Sequence, residues 1–323
     1  MAIRRQQGLT LVELMVALAI GSFLVIGAVQ IYNQSRQAFI INESIARVQE
    51  TAQFAIDTIE SDLRMASNWG RTSRGLAIEG RSLAGDPNPK NLGVPADCGA
   101  DWVLDLAMPV DGANNAFNLP CAAVGGAQAA SDLITVRRAT VAPAPALEPG
   151  RLQIQTTRVQ GEVFDDGAVP TMFNPADSST HNLMVSSYYV AQPDPGNLVP
   201  NVPTLRRKTL TVTGGAATIQ DQEIAPGVEN LQVQLGIDVD EDNTVDRYVN
   251  PGDEIYDPTA AGYVPGARVI TARIWLVVRG TSLEIGMQDD TDYEPGDVDL
   301  GAFNDNFRRL QVSKTILLRN SRT

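Results

Sequence analysis

The chain has 323 residues, 43% of them hydrophobic and 20% charged, with a formal net charge of −13. That balance is ordinary for a globular protein, so most of the chain should fold, as one or two domains with a sizeable core. The acidic surface argues against nucleic acid as a partner, and a single histidine with two cysteines excludes a metal centre built on those residues. Residues 1–8 form a short basic leader carrying Arg4 and Arg5. From Leu9 to Ile31 the run is apolar, and its sole ionisable side chain is Glu13. Such an acid costs about 2–4 kcal/mol at the start of a membrane helix, so its presence demands a use. The run is long for a secretory signal and lacks an Ala-x-Ala-like end, and no cysteine follows the leader as a lipoprotein would require. Basic residues ahead of one transmembrane segment, residues 9–31, predict a cytoplasmic N-terminus, a membrane anchor and an exported remainder. Loss of the leader would take the charge to about −15, because Arg4 and Arg5 leave with it.

The apolar run passes without a proline into an amphipathic half, residues 32–67, so one continuous helix is expected over both. Ile45, Val48, Ala52, Ile56, Ile59 and Leu63 recur at three- and four-residue steps and form a stripe suited to packing on a sheet. Glu43, Arg47, Glu50, Asp57, Glu60 and Asp62 lie largely off that stripe. Asn68 and Gly70 supply the stop signal. Residues 68–323 then read as a loop-rich and β-rich exported globular domain. The stretch from Arg71 to about Ser131 is rich in turn residues, notably Gly85-Asp86-Pro87-Asn88-Pro89 and Asp111-Gly112. It holds Cys98 and Cys121, both in the exported part, where a disulfide is permitted. Such a bridge would stabilise by roughly 3 kcal/mol, and two independent buried thiols are the alternative. Strands are expected at 133–138, 152–157, 183–190, 204–213, 228–238, 268–278 and 309–318. The segment 193–203 would join the third and fourth of them as a long hairpin. A long helix followed by strands without intervening helices predicts an α+β fold, with the helix packed on an antiparallel sheet.

Carboxylates stand at every second residue in Asp238-Val239-Asp240-Glu241-Asp242-Asn243-Thr244-Val245-Asp246. Asp238, Asp240, Asp242, Thr244 and Asp246 fill loop positions one, three, five, seven and nine of an EF-hand-type loop. Asn243 stands where glycine is usual and tolerates the left-handed conformation better than most residues. Position twelve is Val249, so a terminal carboxylate would have to come from Asp253 or Glu254. Oxygen donors alone point to Ca2+ at weak, millimolar affinity, and a solvated acidic β-turn is the alternative reading. No nucleophile motif brackets a serine, no phosphate loop is present, and His181 reads as a surface loop residue, so no enzyme is expected. The basic clusters Arg206-Arg207-Lys208 and Arg308-Arg309 read as solvated faces or edge protection.

Gly8-Leu9-Thr10-Leu11-Val12-Glu13 resembles the N-terminus of a type IV prepilin, although Leu9 stands where phenylalanine is commoner. The resemblance implies cleavage after Gly8 by a membrane prepilin peptidase and methylation of the new amine on Leu9. It also implies that Glu13 faces the N-terminal amine of a neighbouring subunit, where opposite charges in low dielectric offset each other. Asn42-Glu43-Ser44-Ile45-Ala46-Arg47-Val48-Gln49-Glu50, Asp62-Leu63-Arg64-Met65-Ala66 and Asn68-Trp69-Gly70 resemble the helix of PilW-type minor pilins. The stretch Ala225–Gly236, Arg273–Arg279 and Leu317-Leu318-Arg319-Asn320 are similar to that family as well. Arg71 departs from it, since many relatives carry cysteine there, and this leaves Cys98–Cys121 as the sole candidate pair. The family implies a pilin-like fold and a structural part in starting type IV pilus assembly, at or near the tip, serving motility, adhesion or DNA uptake. Implied partners are the major pilin, other minor pilins, the prepilin peptidase, the inner-membrane assembly platform, a tip adhesin, and membrane lipid before assembly. A type II secretion pseudopilin and a pilin-anchored adhesin or ligand-binding module are the alternatives.

Overall fold

The computed structural model describes residues 10–82, 90, 92–93, 98–99, 101–174 and 176–322. The chain divides into two compact units, Met1–Arg47 and Val48–Thr323. One helix, α1 (Leu11–Leu63), supplies the described structure of the first unit and opens the second. Leucine, valine, isoleucine and alanine without proline favour an unbroken helix there. Within 11–47 no residue is buried, and Phe23, Leu11 and Leu24 are among the most exposed apolar side chains of the protein. Among the described residues α1 is the one helix long and apolar enough to cross a membrane.

In the second unit the helix buries Val48, Ala52, Ala55, Ile56, Ile59 and Leu63, which is the expected stripe with Ala55 added and Ile45 only half-buried. Glu60 and Asp62 are also buried, contrary to their position off the stripe. The helix ends at Leu63, a few residues earlier than expected, in tight turns closed by Met65 N–H on Asp62 O and Ala66 N–H on Leu63 O. Ser67 then turns left-handed at φ 62°. Gly70 has φ 94°, and a β-carbon there would lie 2.5 Å from the His181 ring. Only glycine meets both demands.

The strands are β1 (Ile78–Glu79), β2 (Val110–Ala113), β3 (Leu133–Ala139), β4 (Gln153–Thr156) and β5 (Gly161–Phe164), followed by β6 (Ser179–Ala191), β7 (Thr204–Thr213) and β8 (Ala216–Pro226). A short helix, α2 (Asp101–Leu104), precedes β2. Together these strands form one sheet in the order β1-β5-β4-β6-β3-β2, with β7 on β6 and β8 on β7. Pairing is antiparallel except for β1 beside β5. The thirteen residues of β6 let β4 and β7 share one edge end to end while β3 takes the other. The β6–β7 hairpin is the one expected from sequence. By contrast β8 was not expected: Gly214 and Gly215, both left-handed, turn the chain directly back into it.

A second, antiparallel sheet follows. It uses β9 (Val228–Asp238), β10 (Arg247–Val249), β11 (Arg268–Arg279) and, after the two-stranded ribbon β12 (Asp292–Tyr293) and β13 (Gly301–Ala302), β14 (Arg309–Leu317). Its order is β10-β9-β11-β14. The largest apolar core is lined by Val48, Ile56, Ile59 and Leu63 of the helix, by Val136, Tyr188 and Leu205 of the first sheet, and by Leu231, Ile274 and Leu276 of the second. The fold is therefore α+β and pilin-like, with two main sheets sharing one helix-filled core instead of a single sheet. A second core holds Trp69, Trp102, Leu104, Ile154 and Val185. It also receives Cys98, which is disulfide-bonded to Cys121 across a separation of 23 residues.

Candidate functional site

The site begins where the helix begins. Thr10 precedes the first helical residue, and its Oγ1 accepts the Glu13 N–H at 3.3 Å. Glu13 reaches back with Oε2, 3.5 Å from both the N–H and the hydroxyl of Thr10. This reciprocal pair is a capping box, in which a Thr and a Glu three residues on satisfy the free donors of the first turn. The acid therefore has a local helix-starting contact in addition to the role expected between subunits. The Thr-x-x-Glu signature of this box is contiguous in the sequence. Gly8 and Leu9, with Arg4 and Arg5, lie outside the described residues.

At the other end, the helix is tied down by charge. Asp62 accepts Arg138 of β3 at 2.8 Å and the Tyr188 hydroxyl of β6 at 2.7 Å. Burial, with the Asp62 carboxylate beside it, pushes the Tyr188 phenol well above its ordinary value, so it remains a donor. Glu60 pairs with Lys314 of β14 and with Arg64, and the Lys314 contact holds its carboxyl below the usual range. The C-terminal segment closes the same end. Asn320 Nδ2 donates to Ala66 O at 3.1 Å and Arg64 O at 3.4 Å, while the Ser321 and Ser67 hydroxyls lie 2.8 Å apart. The last carbonyls of a helix need such donors.

The acidic segment forms the connection from β9 to β10. Carboxylate oxygens of Asp238, Asp240 and Asp246 come within 4.8 Å of one another. Asp242 is not in that group: its Oδ1 accepts the Thr244 N–H at 2.7 Å and hydroxyl at 2.6 Å, which hold the carboxyl below its ordinary value. Thr244 serves Asp242 through these two donors. Glu241 and Asn243 are left-handed, at φ 64° and 66°. Val249 is in the β10 ladder opposite Leu235. Asp253 caps Ile255 N–H and Glu254 accepts the Gly262 N–H, so both candidates for a twelfth-position ligand are engaged elsewhere.

The remaining sequence-derived expectations are corrected by burial. His181 is not on a surface loop; it is buried in β6, with Nδ1 2.8 Å from Thr140 O and Nε2 3.0 Å from Ser179 Oγ. Arg206 and Lys208 are buried on β7 and both pair with Asp221 of β8, so they are not a solvated face. Arg309 is buried among Glu229, Asp289 and Asp305, which hold its guanidinium in a fixed network. For Arg206 and Lys208 the missing signal was the partner strand β8, which carries Asp221, and for Arg309 it was Glu229, eighty residues away at the start of β9.

Two family models match the chain. One, described as Type IV Pilus-assembly protein W, matches residues 187–320, from the middle of β6 to the Asn320 cap. The other, described as Prokaryotic N-terminal methylation motif, matches residues 3–29 and so contains Gly8, Leu9 and Glu13. No curated protein and no solved structure matches the chain. The chain is thus similar to PilW-family pilins over the end of β6, β7, β8 and the second sheet, and it carries the N-terminal methylation signature at the start of its exposed apolar helix.

Proposed function

We propose that this protein is a minor pilin that helps to initiate type IV pilus assembly and sits at or near the pilus tip. The observation that carries the reading is the coincidence of the methylation motif with a helix in which no residue from 11 to 47 is buried and residues 11–31 are almost wholly apolar. An apolar surface of about twenty residues is stable only in lipid or against other subunits. Cleavage after Gly8 leaves Leu9 as the methylated N-terminus, and Glu13 then meets the N-terminal amine of a neighbouring subunit. Before assembly, residues 9–31 hold the precursor in the inner membrane with the N-terminus cytoplasmic, and the domain faces the periplasm. Partners in this scheme are the prepilin peptidase, the assembly platform, the major pilin, other minor pilins and a tip adhesin. The match to a pilus-assembly family favours this over a secretion pseudopilus.

The test uses two separate variants in the native host. Gly8→Ala is expected to leave unprocessed precursor in the membrane. Glu13→Val is expected to be processed yet to enter filaments poorly. Normal processing of the first together with normal piliation by the second would overturn the reading.

A further inference from the structure

From the β9–β10 connection we infer a calcium site formed by Asp238, Asp240 and Asp246. This rests on side-chain geometry alone and is independent of the pilus reading. Asp238 ends β9 and is fully buried. Its Oδ2 accepts the Asn243 N–H at 3.0 Å and Arg268 at 3.1 and 3.2 Å. Its Oδ1 is equally buried and has no hydrogen-bond partner. A buried carboxylate oxygen without a donor is costly, and native structures rarely leave one so unless something else supplies the positive charge. The same carboxylate stands within 4.8 Å of oxygens from Asp240 and Asp246, which are exposed.

The donor set suits calcium: three carboxylate oxygens that lie within 4.8 Å of one another can close on one hard cation. Magnesium holds its ligands closer and keeps several waters, and the donors are all oxygens, which disfavours softer metals. Charge points the same way. Five acids lie between residues 238 and 246, and among the described residues Arg268 is the one cation that pairs with any of them. Bound calcium would join the first and last residues of the connection and fix the turn from β9 into β10. Three carboxylates without a bidentate twelfth ligand place the affinity in the millimolar range typical of extracellular modules.

The full-length chain in detergent, stripped with a chelator, would be titrated with calcium chloride and separately with magnesium chloride by isothermal calorimetry. Asp240→Asn and Asp246→Asn are the control variants, because both side chains are exposed and the core strand is untouched. Expected are one saturable calcium site in the unaltered chain, its loss in both variants with unchanged far-ultraviolet circular dichroism, and a calcium-dependent rise of the unfolding midpoint in the unaltered chain only. Dilution heat alone from the unaltered chain, undiminished binding in either variant, or equal binding of magnesium would overturn the inference.

Discussion

Along α1 the same secondary structure serves two opposite purposes. Over residues 11–31 the helix is apolar nearly all round, and no residue from 11 to 47 is buried in this chain. From Val48 to Leu63 it buries a stripe and adds two buried acids, Glu60 and Asp62, each held by a cation from a strand. The first stretch leaves its apolar surface uncovered within the chain. The second is complete within its own domain. A helix is therefore not one unit of stability, and substitutions along it should divide into two classes.

Ile59→Ala should break the domain hardest. Ile59 is fully buried, and such truncations cost about 2–5 kcal/mol, read by urea unfolding followed through tryptophan fluorescence. Val25→Ala in the exposed stretch should leave that curve unchanged. Asp62→Ala should follow at about 3 kcal/mol, because it strands Arg138 and the Tyr188 hydroxyl in a largely buried setting; Asp62→Asn should recover part of the loss. A pH series comes next. Burial pushes the carboxyls of Asp105 and Asp132 up to about 6 from 3.8. Between those values the native chain holds protons that the unfolded chain has released, so stability falls as pH rises through that window. The midpoint should therefore rise on going from pH 7 to pH 5, and Asp105→Asn should flatten the slope. Asn320→Ala, which removes the donor to the Arg64 and Ala66 carbonyls in the turns that close the helix, should cost about 1 kcal/mol. Glu13→Gln should be the smallest, with no measurable effect on the domain's unfolding and its consequence confined to assembly.

What the sequence revealed follows the same division. Local periodicity was enough for the helix, its stripe and the long strands, because each is written in spacings of two or three to four residues. The prepilin motif was legible because it is contiguous. What failed was everything decided by a distant partner. Asp62 looked like a surface acid because Arg138 and Tyr188 are not helix neighbours. Arg206 and Lys208 looked solvated because β8, with its Gln, Asp and Glu, does not read as a strand. His181 looked exposed because nothing local shows that Gly70 packs against its ring. The acidic connection was partly legible: its spacing identified all five ligand candidates, while only the fold shows that Asp242 is engaged by Thr244 and that Asp238 has a buried oxygen without a donor.

The central claim is that the exposed stretch of α1 exists to be completed outside the chain, after cutting at Gly8. The most direct test is mass spectrometry of this protein recovered from sheared surface filaments. The account predicts a substoichiometric subunit whose N-terminal peptide begins at Leu9 with a methylated amine. An N-terminus at Met1, or a chain confined to the membrane and never found in filaments, would contradict it.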